Sequence, residues 1–295
     1  MNVGERIRTL RLSKMLTQAD LAGDQITRNM LCTIERGAAL PSLPTVCYIA
    51  ERLNVPVGYL LSEESDELAY RKMTAMPNIR HALAAEDYAG ALTVINTAFG
   101  DSWDDEIALI RAECEYRMAK SAFDHGHLRA AVAGFDRAIR EAEHTVYDTA
   151  WIRTRAAVYF RYLAELSPTL SSDVLEQGEI DTAKSVSDEF CAYVLAREAL
   201  DGGREGEVRE YLARNEGSVF AARLSALLQM RAGQIREALA AYERLLACDA
   251  LTVGVLMYEV FDDMELCCRE NDDYKRAYEF ASSRMGLLER LLEEV

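Results

Sequence analysis

The chain has 295 residues and a formal net charge of −16. That length is sufficient for two domains with a sizeable core, and so acidic a balance excludes a protein that coats nucleic acid along its whole length. The charge is uneven, because residues 1–62 contain seven Lys or Arg and five Asp or Glu, about +2, which leaves about −18 on the remainder. A small, slightly basic segment on an acidic body is typical of a regulator rather than of a nuclease or a packaging protein.

The predicted elements begin with a helix over residues 5–14, and two short helices joined by a tight turn follow. Thr17 is a good N-cap for the first of these, over residues 18–22. Residues 23–25, Gly-Asp-Gln, have the composition of a turn. Thr27 is then a second N-cap, so another helix is predicted to begin directly after it.

That next helix spans about residues 28–36 and ends at Gly37, which suits the left-handed residue after a helix. Leu31 and Ile34 are three residues apart and therefore share one face, which we expect to be buried. The residues off that face are polar. They are Arg28, Asn29, Thr33 and Arg36.

This polar face has the chemistry of a reader of DNA bases. Arginine can bind guanine at O6 and N7, asparagine can bind adenine, and threonine can contact the methyl group of thymine. A helix N-terminus also favours a phosphate. Two short helices of which the second presents such a face fit the major groove of DNA.

Helices over about residues 44–53 and 57–61 complete the first domain, which holds three of the five prolines. Residues 62–67 form an acidic connector. We therefore predict a domain over residues 1–62, a linker over 63–75 and a helical repeat domain over 76–295.

From about residue 68 onward helix follows helix, and no stretch alternates with period two for long. A phrase recurs at steps of about 30 to 40 residues: a small or polar turn residue, an aromatic or Ile, then Ala-Leu and a large apolar residue. Its copies lie at residues 87–95, 126–139, 233–246 and 273–281, with a weaker one at 203–212. Between about 150 and 200 the register fades, which predicts a divergent repeat there.

Stacked helical hairpins form an array with a concave inner face. We expect the first helix of each pair to line it, over residues 106–123, 149–166 and 218–231. Basic and aromatic residues on these stretches favour a groove for a peptide backbone and its carboxylate, although each of them also fits a solvated helix face. The candidates for peptide binding are Arg117, Arg155, Tyr159 and Tyr162.

Residues 4–61 resemble the Cro/C1-type (XRE) helix-turn-helix domain of phage repressors and bacterial regulators. The resemblance rests on Leu16-Thr17-Gln18, Leu21-Ala22, Thr27-Arg28, Leu31, Ile34-Glu35, Gly37, Pro41-Ser42-Leu43, Thr45, Ile49-Ala50 and Leu53-Asn54-Val55. It implies that Gln18, Thr27, Arg28, Asn29, Thr33 and Arg36 contact DNA. It also implies a structural ion pair between Arg11 and Glu35. Arg6, Arg8 and Lys14 are either phosphate contacts or part of a solvated face.

The repeated phrase resembles the second helix of tetratricopeptide repeats. The fold class is therefore predicted to be all-α, a five-helix helix-turn-helix domain followed by a tetratricopeptide-like solenoid. The combination resembles the RRNPP group of peptide-responsive regulators in quorum sensing. That resemblance implies a homodimer that reads a palindromic operator in double-stranded DNA and binds a short signalling peptide in the groove. The alternative is a protein-interaction scaffold with a vestigial helix-turn-helix.

The sequence offers little support for catalysis or for a cofactor. It contains no glycine-rich phosphate-binding motif that ends in Lys-Ser or Lys-Thr. None of its four histidines has a cysteine at the spacing that is typical of a metal site. We therefore predict no enzymatic activity, no metal and no cofactor. The seven cysteines form no C-x-x-C pair, and with no signal peptide or membrane-spanning run they favour a cytoplasmic protein without membrane contact.

Overall fold

A computed structural model describes residues 2–62, 67–102, 104–172, 188–248, 251 and 254–293. Within those ranges it contains sixteen α-helices, one 3-10 turn and no strand, so the all-α prediction is confirmed. None of the helices described is long and apolar enough to cross a membrane. The chain forms two compact units: Met1–Glu86 with Thr93–Trp103, and Asp87–Leu92 with Asp104–Val295.

The first unit contains the five predicted short helices. Ile7, Leu21, Leu31 and Ile49 form the centre of its core and are fully buried. Residues 67–75, part of the predicted linker, belong to a sixth helix, whereas residues 63–66 lie outside the described ranges. The helices are α1 (Val3–Ser13), α2 (Gln18–Ala22), α3 (Arg28–Glu35), α4 (Leu43–Leu53), α5 (Val57–Leu61) and α6 (Glu67–Ala84). A further helix, α7 (Tyr88–Phe99), follows.

Helix α1 begins earlier than the sequence predicted, at Val3 instead of residue 5. Asn2 is its N-cap, and its side chain accepts a hydrogen bond from the backbone N–H of Glu5 at 2.9 Å. The Glu5 carboxylate in turn accepts from the backbone N–H of Asn2 at 3.0 Å. This reciprocal pair satisfies two N–H groups at the start of the helix.

Nine helices make up most of the second unit, and most of them pack in consecutive pairs. They are α8 (Asp105–Asp124), α9 (Leu128–Ala142), α10 (Ala150–Leu166), α11 (Glu189–Asp201), α12 (Glu205–Arg214), α13 (Val219–Arg231), α14 (Ile235–Leu246), α15 (Gly254–Glu270) and α16 (Tyr274–Leu292). The pairs are α8 with α9, α11 with α12, α13 with α14, and α15 with α16. Residues 173–187, within the stretch of faded register, lie outside the described ranges.

The four helix pairs share one turn, which explains the repeated phrase. A left-handed residue ends each first helix, and the N–H of the residue after it donates to the carbonyl five residues earlier at 2.8 to 3.0 Å. This bond satisfies a carbonyl at the helix C-terminus. The left-handed residues are Gly126, Gly203, Gly233 and Asp272, and the buried small residues one turn into each second helix are Ala131, Val208, Ala238 and Ala277.

Candidate nucleic-acid interface

Helix α3 has one buried and one exposed face, and the exposed face is polar. Leu31 and Ile34 anchor the helix in the core of the first unit. The predicted base-reading side chains lie on the opposite, solvent-facing side. These are Arg28, Asn29, Thr33 and Arg36, all of which are exposed. The geometry required of a reading helix is therefore present.

The N-terminus of α3 is fixed by Thr27. Its backbone is extended, and its hydroxyl oxygen accepts a hydrogen bond from the N–H of Met30 at 3.1 Å. This cap defines where the first turn of the helix begins. The positive end of the helix dipole lies beside Arg28 and Asn29, so this end of α3 suits a phosphate or an electronegative base edge.

Thr33 presents only part of its chemistry to the outside. Its hydroxyl donates a hydrogen bond to the backbone carbonyl of Asn29, one turn earlier, at 2.8 Å. Bonds of this kind are common for threonine within a helix. With its proton engaged, the side chain offers its methyl group and the lone pairs of its oxygen.

A buried ion pair joins α3 to α1. Arg11 Nε and Nη2 donate to Glu35 Oε1 and Oε2 at 2.6 and 3.0 Å, which is the pair expected from the sequence. Arg11 Nη1 also donates to the carbonyl of Leu16 at 2.9 Å. Gln18 Nε2 donates to Glu35 Oε2 at 2.8 Å, so all three helices of the motif meet at this carboxylate.

These bonds set the pKa of Glu35. Burial alone would raise the pKa, but the hydrogen bonds from Arg11 and Gln18 and the positive charge of Arg11 outweigh burial and hold it below its ordinary value. Glu35 is therefore ionised at neutral pH. The amide of Gln18 is half-buried and committed to this carboxylate, so the contact of Gln18 with DNA stays a proposal.

Two residues of this unit have positions that the sequence did not reveal. Met30 lies exposed on α3 beside the polar face, so this surface of the helix also presents an apolar side chain. Arg6 was expected to contact phosphate or to be solvated, but it is almost fully buried. Its guanidinium donates to the carbonyl of Tyr59 at 3.2 Å and to the hydroxyl of Ser62 at 3.0 Å. Arg6 therefore holds the end of α5 in place and is not available to DNA.

The second unit contains a groove of about 450 Å³. Of the three stretches expected to line it, residues 149–166 and 218–231 contribute to the lining, whereas none of the described lining residues comes from 106–123. Helices α10, α11, α13 and α15 contribute its walls. Its lining contains three arginines and five carboxylates, so the net charge of the lining is negative. They are Arg197, Arg223 and Arg231 against Glu165, Asp201, Glu259, Asp262 and Asp263.

Each of these arginines is paired with a carboxylate of the groove. Arg197 contacts Glu165 and Glu259 at 2.6 Å each, and Arg223 contacts Glu259 at 3.1 Å and Asp263 at 2.8 Å. Arg231 pairs with Asp201. These three arginines are therefore neutralised by acids that lie on neighbouring helices.

Of the four predicted peptide contacts, Tyr162 lines the groove. Tyr159 does not: it is fully buried between Phe135 and Phe190, and its hydroxyl donates to Asp188 Oδ1 at 3.1 Å. This corrects the assignment of Tyr159 as a peptide contact, because its aromatic ring fills the core between successive hairpins.

The two predicted basic contacts lie outside the groove lining. Arg155 lies over the ring of Trp151, with 4.8 Å from its guanidinium carbon to the ring centroid. Arg117 is exposed on α8, 3.5 Å from the carboxylate of Glu113. Their contact with a peptide stays a prediction.

Part of the chain is similar in sequence to a known protein. The chain is 38% identical over 66 residues to the immunity repressor protein of Bacillus phage phi105. The chain is similar to a phage repressor. That match covers 22% of this chain and 46% of the repressor, so less than half of the repressor is represented. The predicted resemblance to repressor-type regulators is therefore confirmed over these 66 residues.

No family model matches the chain. Among solved structures, Bacillus thuringiensis PlcR in complex with the peptide PapR7 and DNA aligns over 99% of both chains, at 16% identity and a TM-score of 0.26. A superposition with so low a TM-score carries no structural or functional argument.

Proposed function

We propose that the chain is a sequence-specific DNA-binding transcriptional regulator that inserts α3 into the major groove. The observation that carries this proposal is the exposed polar face of α3 on a helix whose other face and C-terminal end are fixed by the core and by the Arg11–Glu35 pair. Similarity to an immunity repressor supports it. The protein acts by binding, and no catalytic step is part of the proposal.

Roles for the α3 residues follow from their positions. Arg28 and Asn29, at the N-terminus, read base edges, and Thr33 contacts a thymine methyl group one turn further on. Thr27 and Arg36, at the two ends of α3, and Gln18 on α2 contact the DNA backbone. Contacts with the DNA backbone set the position and orientation of the protein rather than its sequence preference.

The regulator is proposed to act as a homodimer on a palindromic operator in double-stranded DNA. The balance of about +2 on residues 1–62 gives one copy few phosphate contacts, and the remainder of the chain is acidic. Because affinity for DNA depends strongly on the number of phosphates neutralised, two copies on two half-sites supply what one lacks. We place this activity in the cytoplasm.

The groove of the second unit is proposed to bind a short peptide that controls DNA binding. Its acidic balance favours a peptide that carries positive charge, since the arginines of the groove are already paired. Binding would favour one curvature of the helical array and thereby change the population of DNA-competent dimers.

In vitro selection from random duplex DNA, followed by shift assays over a range of salt concentrations, tests the proposal. Wild-type protein should enrich a two-fold sequence and lose affinity steeply with salt. Arg28→Ala with Asn29→Ala should abolish the sequence preference. The matched control is Arg209→Ala with Asn271→Ala, which removes the same two residue types from exposed positions of the second unit.

Equal binding by wild type and the α3 variant would overturn the proposal. In that case the helical array would be the functional part of the chain, as in the scaffold alternative. A loss that the control variant shares would instead indicate a general electrostatic effect and would also contradict readout by α3.

A further inference from the structure

An apolar stripe runs along the solvent face of α16. Tyr274, Tyr278 and Met285 are 67%, 76% and 61% exposed, and their spacing of four and seven residues places them on one side of the helix. We name these three residues the α16 stripe. Contiguous exposed apolar side chains on one face of a helix mark interaction surfaces, so the α16 stripe indicates a surface that a partner covers.

A glycine beside the stripe gives an independent indication. Gly286 lies within α16, where glycine is destabilising relative to alanine. A Cβ atom built on Gly286 would meet no atom within 4 Å, so packing within the described residues does not require glycine there. Gly134 in α9 differs, because its Cβ would lie 2.8 Å from the side chain of Ala119. The gap at Gly286 leaves room for a side chain from another molecule.

The charges that flank the stripe fit a second copy of the same helix. Lys275 and Glu289 are exposed, and neither forms an ion pair within the part of the chain that the structure describes. They lie equally far from Ser282, on opposite sides of it along α16. If two copies of α16 pack antiparallel about a two-fold axis at Ser282, Lys275 of each copy meets Glu289 of the other.

The same axis accounts for the glycine. Tyr278 and Gly286 are also equally far from Ser282, so the ring of Tyr278 in one copy lies over Gly286 of the other. An isologous contact of this kind makes every pairing twice. A self-complementary arrangement of charge and of bulk on one helix is the pattern that a symmetric homodimer requires.

We propose that the α16 stripe, together with Lys275, Glu289 and Gly286, is the surface through which two copies of this chain associate, with their α16 helices antiparallel. This rests on the proposed function in one respect, that a homodimer presents two α3 helices to one operator. The contact is a strip about 24 Å long and about 10 Å wide. It is smaller than the roughly 800 Å² per partner that stable dimers bury, so we expect a weak dimer that dissociates readily without DNA.

Sedimentation equilibrium of the full-length protein without DNA tests the surface. Wild type should form dimers, and Tyr278→Glu should weaken the dimer by more than about tenfold, because it introduces a buried charge within one turn of the two-fold axis. Tyr147→Glu is the matched control, since Tyr147 is half-exposed in the loop between α9 and α10. That variant should dimerise as wild type does.

A charge swap tests the two-fold register. Lys275→Glu and Glu289→Lys should each weaken the dimer by roughly tenfold, because each replaces two attractive pairs by two repulsive ones. The double variant should restore dimerisation to within about threefold of wild type. A monomeric wild type, or a double variant as weak as the single ones, would overturn the proposal, and binding of an unrelated protein to the stripe instead would overturn it too.

Gly286→Gln separates assembly from folding. Glutamine is a better helix former than glycine, so this variant should raise the thermal stability of the monomer while its bulk weakens the dimer. A variant that dimerises as well as wild type would contradict the placement of Tyr278 over Gly286. Binding to a single operator half-site needs one α3 helix, so it should be unchanged in all these variants. If that binding is absent in wild type, the proposed function fails while the dimer surface stands.

Discussion

At the scale of single residues, the internal hydrogen bond of Thr33 decides what this side chain can offer DNA. Its hydroxyl proton is held by the carbonyl of Asn29, so the group that faces outward is a methyl with an oxygen acceptor. A residue of this kind contacts a thymine methyl group rather than donating to a base. The sequence suggested the residue type, but the engaged proton is visible only in the structure.

We predict that Thr33→Val keeps most of the affinity of wild type for the selected operator, whereas Thr33→Ser loses about 1 kcal/mol through the missing methyl contact. Replacing the contacted thymine by deoxyuridine should cost wild type and Thr33→Val a similar amount and Thr33→Ser almost nothing. Competition shift assays with the two DNA sequences measure this. A loss in Thr33→Val as large as in Thr33→Ser would show that the oxygen is the reading group.

Glu35 gives a pH-dependent prediction. Burial raises its pKa, but the bonds from Arg11 and Gln18 outweigh burial and hold the pKa below the ordinary value of 4.5 in the folded protein. A carboxyl with a lowered pKa stabilises the fold above its unfolded pKa, and this stabilisation is lost as the pH falls through the folded pKa. Glu35→Gln should therefore cost about 1–3 kcal/mol of unfolding free energy at pH 7, and the difference from wild type should shrink below pH 4.5.

Hydrogen–deuterium exchange of peptides that span α1 and α3, measured at pH 7 and near pH 3.5, resolves this local stability. A difference between Glu35→Gln and wild type that is the same at both pH values would contradict the assignment of Glu35 as an ionised partner of Arg11.

At the scale of secondary-structure elements, α3 was predictable because its signals are local. Its cap at Thr27, its buried residues three apart and the left-handed Gly37 after it all lie within ten or so residues, and the observed helix ends within one residue of the prediction. The predicted start of α1 was two residues late, because Asn2 and Glu5 form a reciprocal cap that starts the helix at Val3. The α16 stripe was missed because exposure is a property of packing, not of periodicity.

Thr27→Ala should affect α3 more than it affects the whole fold. Loss of the bond from Met30 N–H to the Thr27 hydroxyl costs about 1 kcal/mol and frays the first helical turn, which carries Arg28 and Asn29. We expect a several-fold loss of affinity for the selected operator, with faster amide exchange at the start of α3. Thr27→Ser preserves the hydroxyl and should restore both. If Thr27→Ser binds DNA as weakly as Thr27→Ala, the methyl group rather than the cap is the cause.

At the scale of the whole molecule, the helical array was predictable and the chemistry of its groove was not. The repeated turn and the buried small residue in each second helix come from neighbouring residues, so their pattern appears in the sequence. The groove depends on pairs such as Arg197 with Glu259 and Arg223 with Asp263, which join different hairpins. Because the two partners of each pair are distant along the chain, the sequence does not show that the array itself neutralises these arginines.

The most buried carboxylate of this network gives the last prediction. Burial raises the pKa of Asp263 to about 6, against the lowering effects of Arg223 and Tyr242 and with a further raising effect of Glu259. A carboxyl with a raised pKa stabilises the fold fully below its unfolded pKa, near 3.8, and that stabilisation is lost as the pH rises through about 6. Wild type should therefore lose on the order of 3 kcal/mol relative to Asp263→Asn between pH 4 and pH 7. Urea unfolding followed by hydrogen exchange in α13 and α15 measures the difference. Asp262→Asn, at a half-buried neighbour that pairs with Arg284, controls for the loss of one carboxylate. A difference between Asp263→Asn and wild type that stays constant over this range would mean that Asp263 remains ionised throughout, with Arg223 compensating fully for its burial.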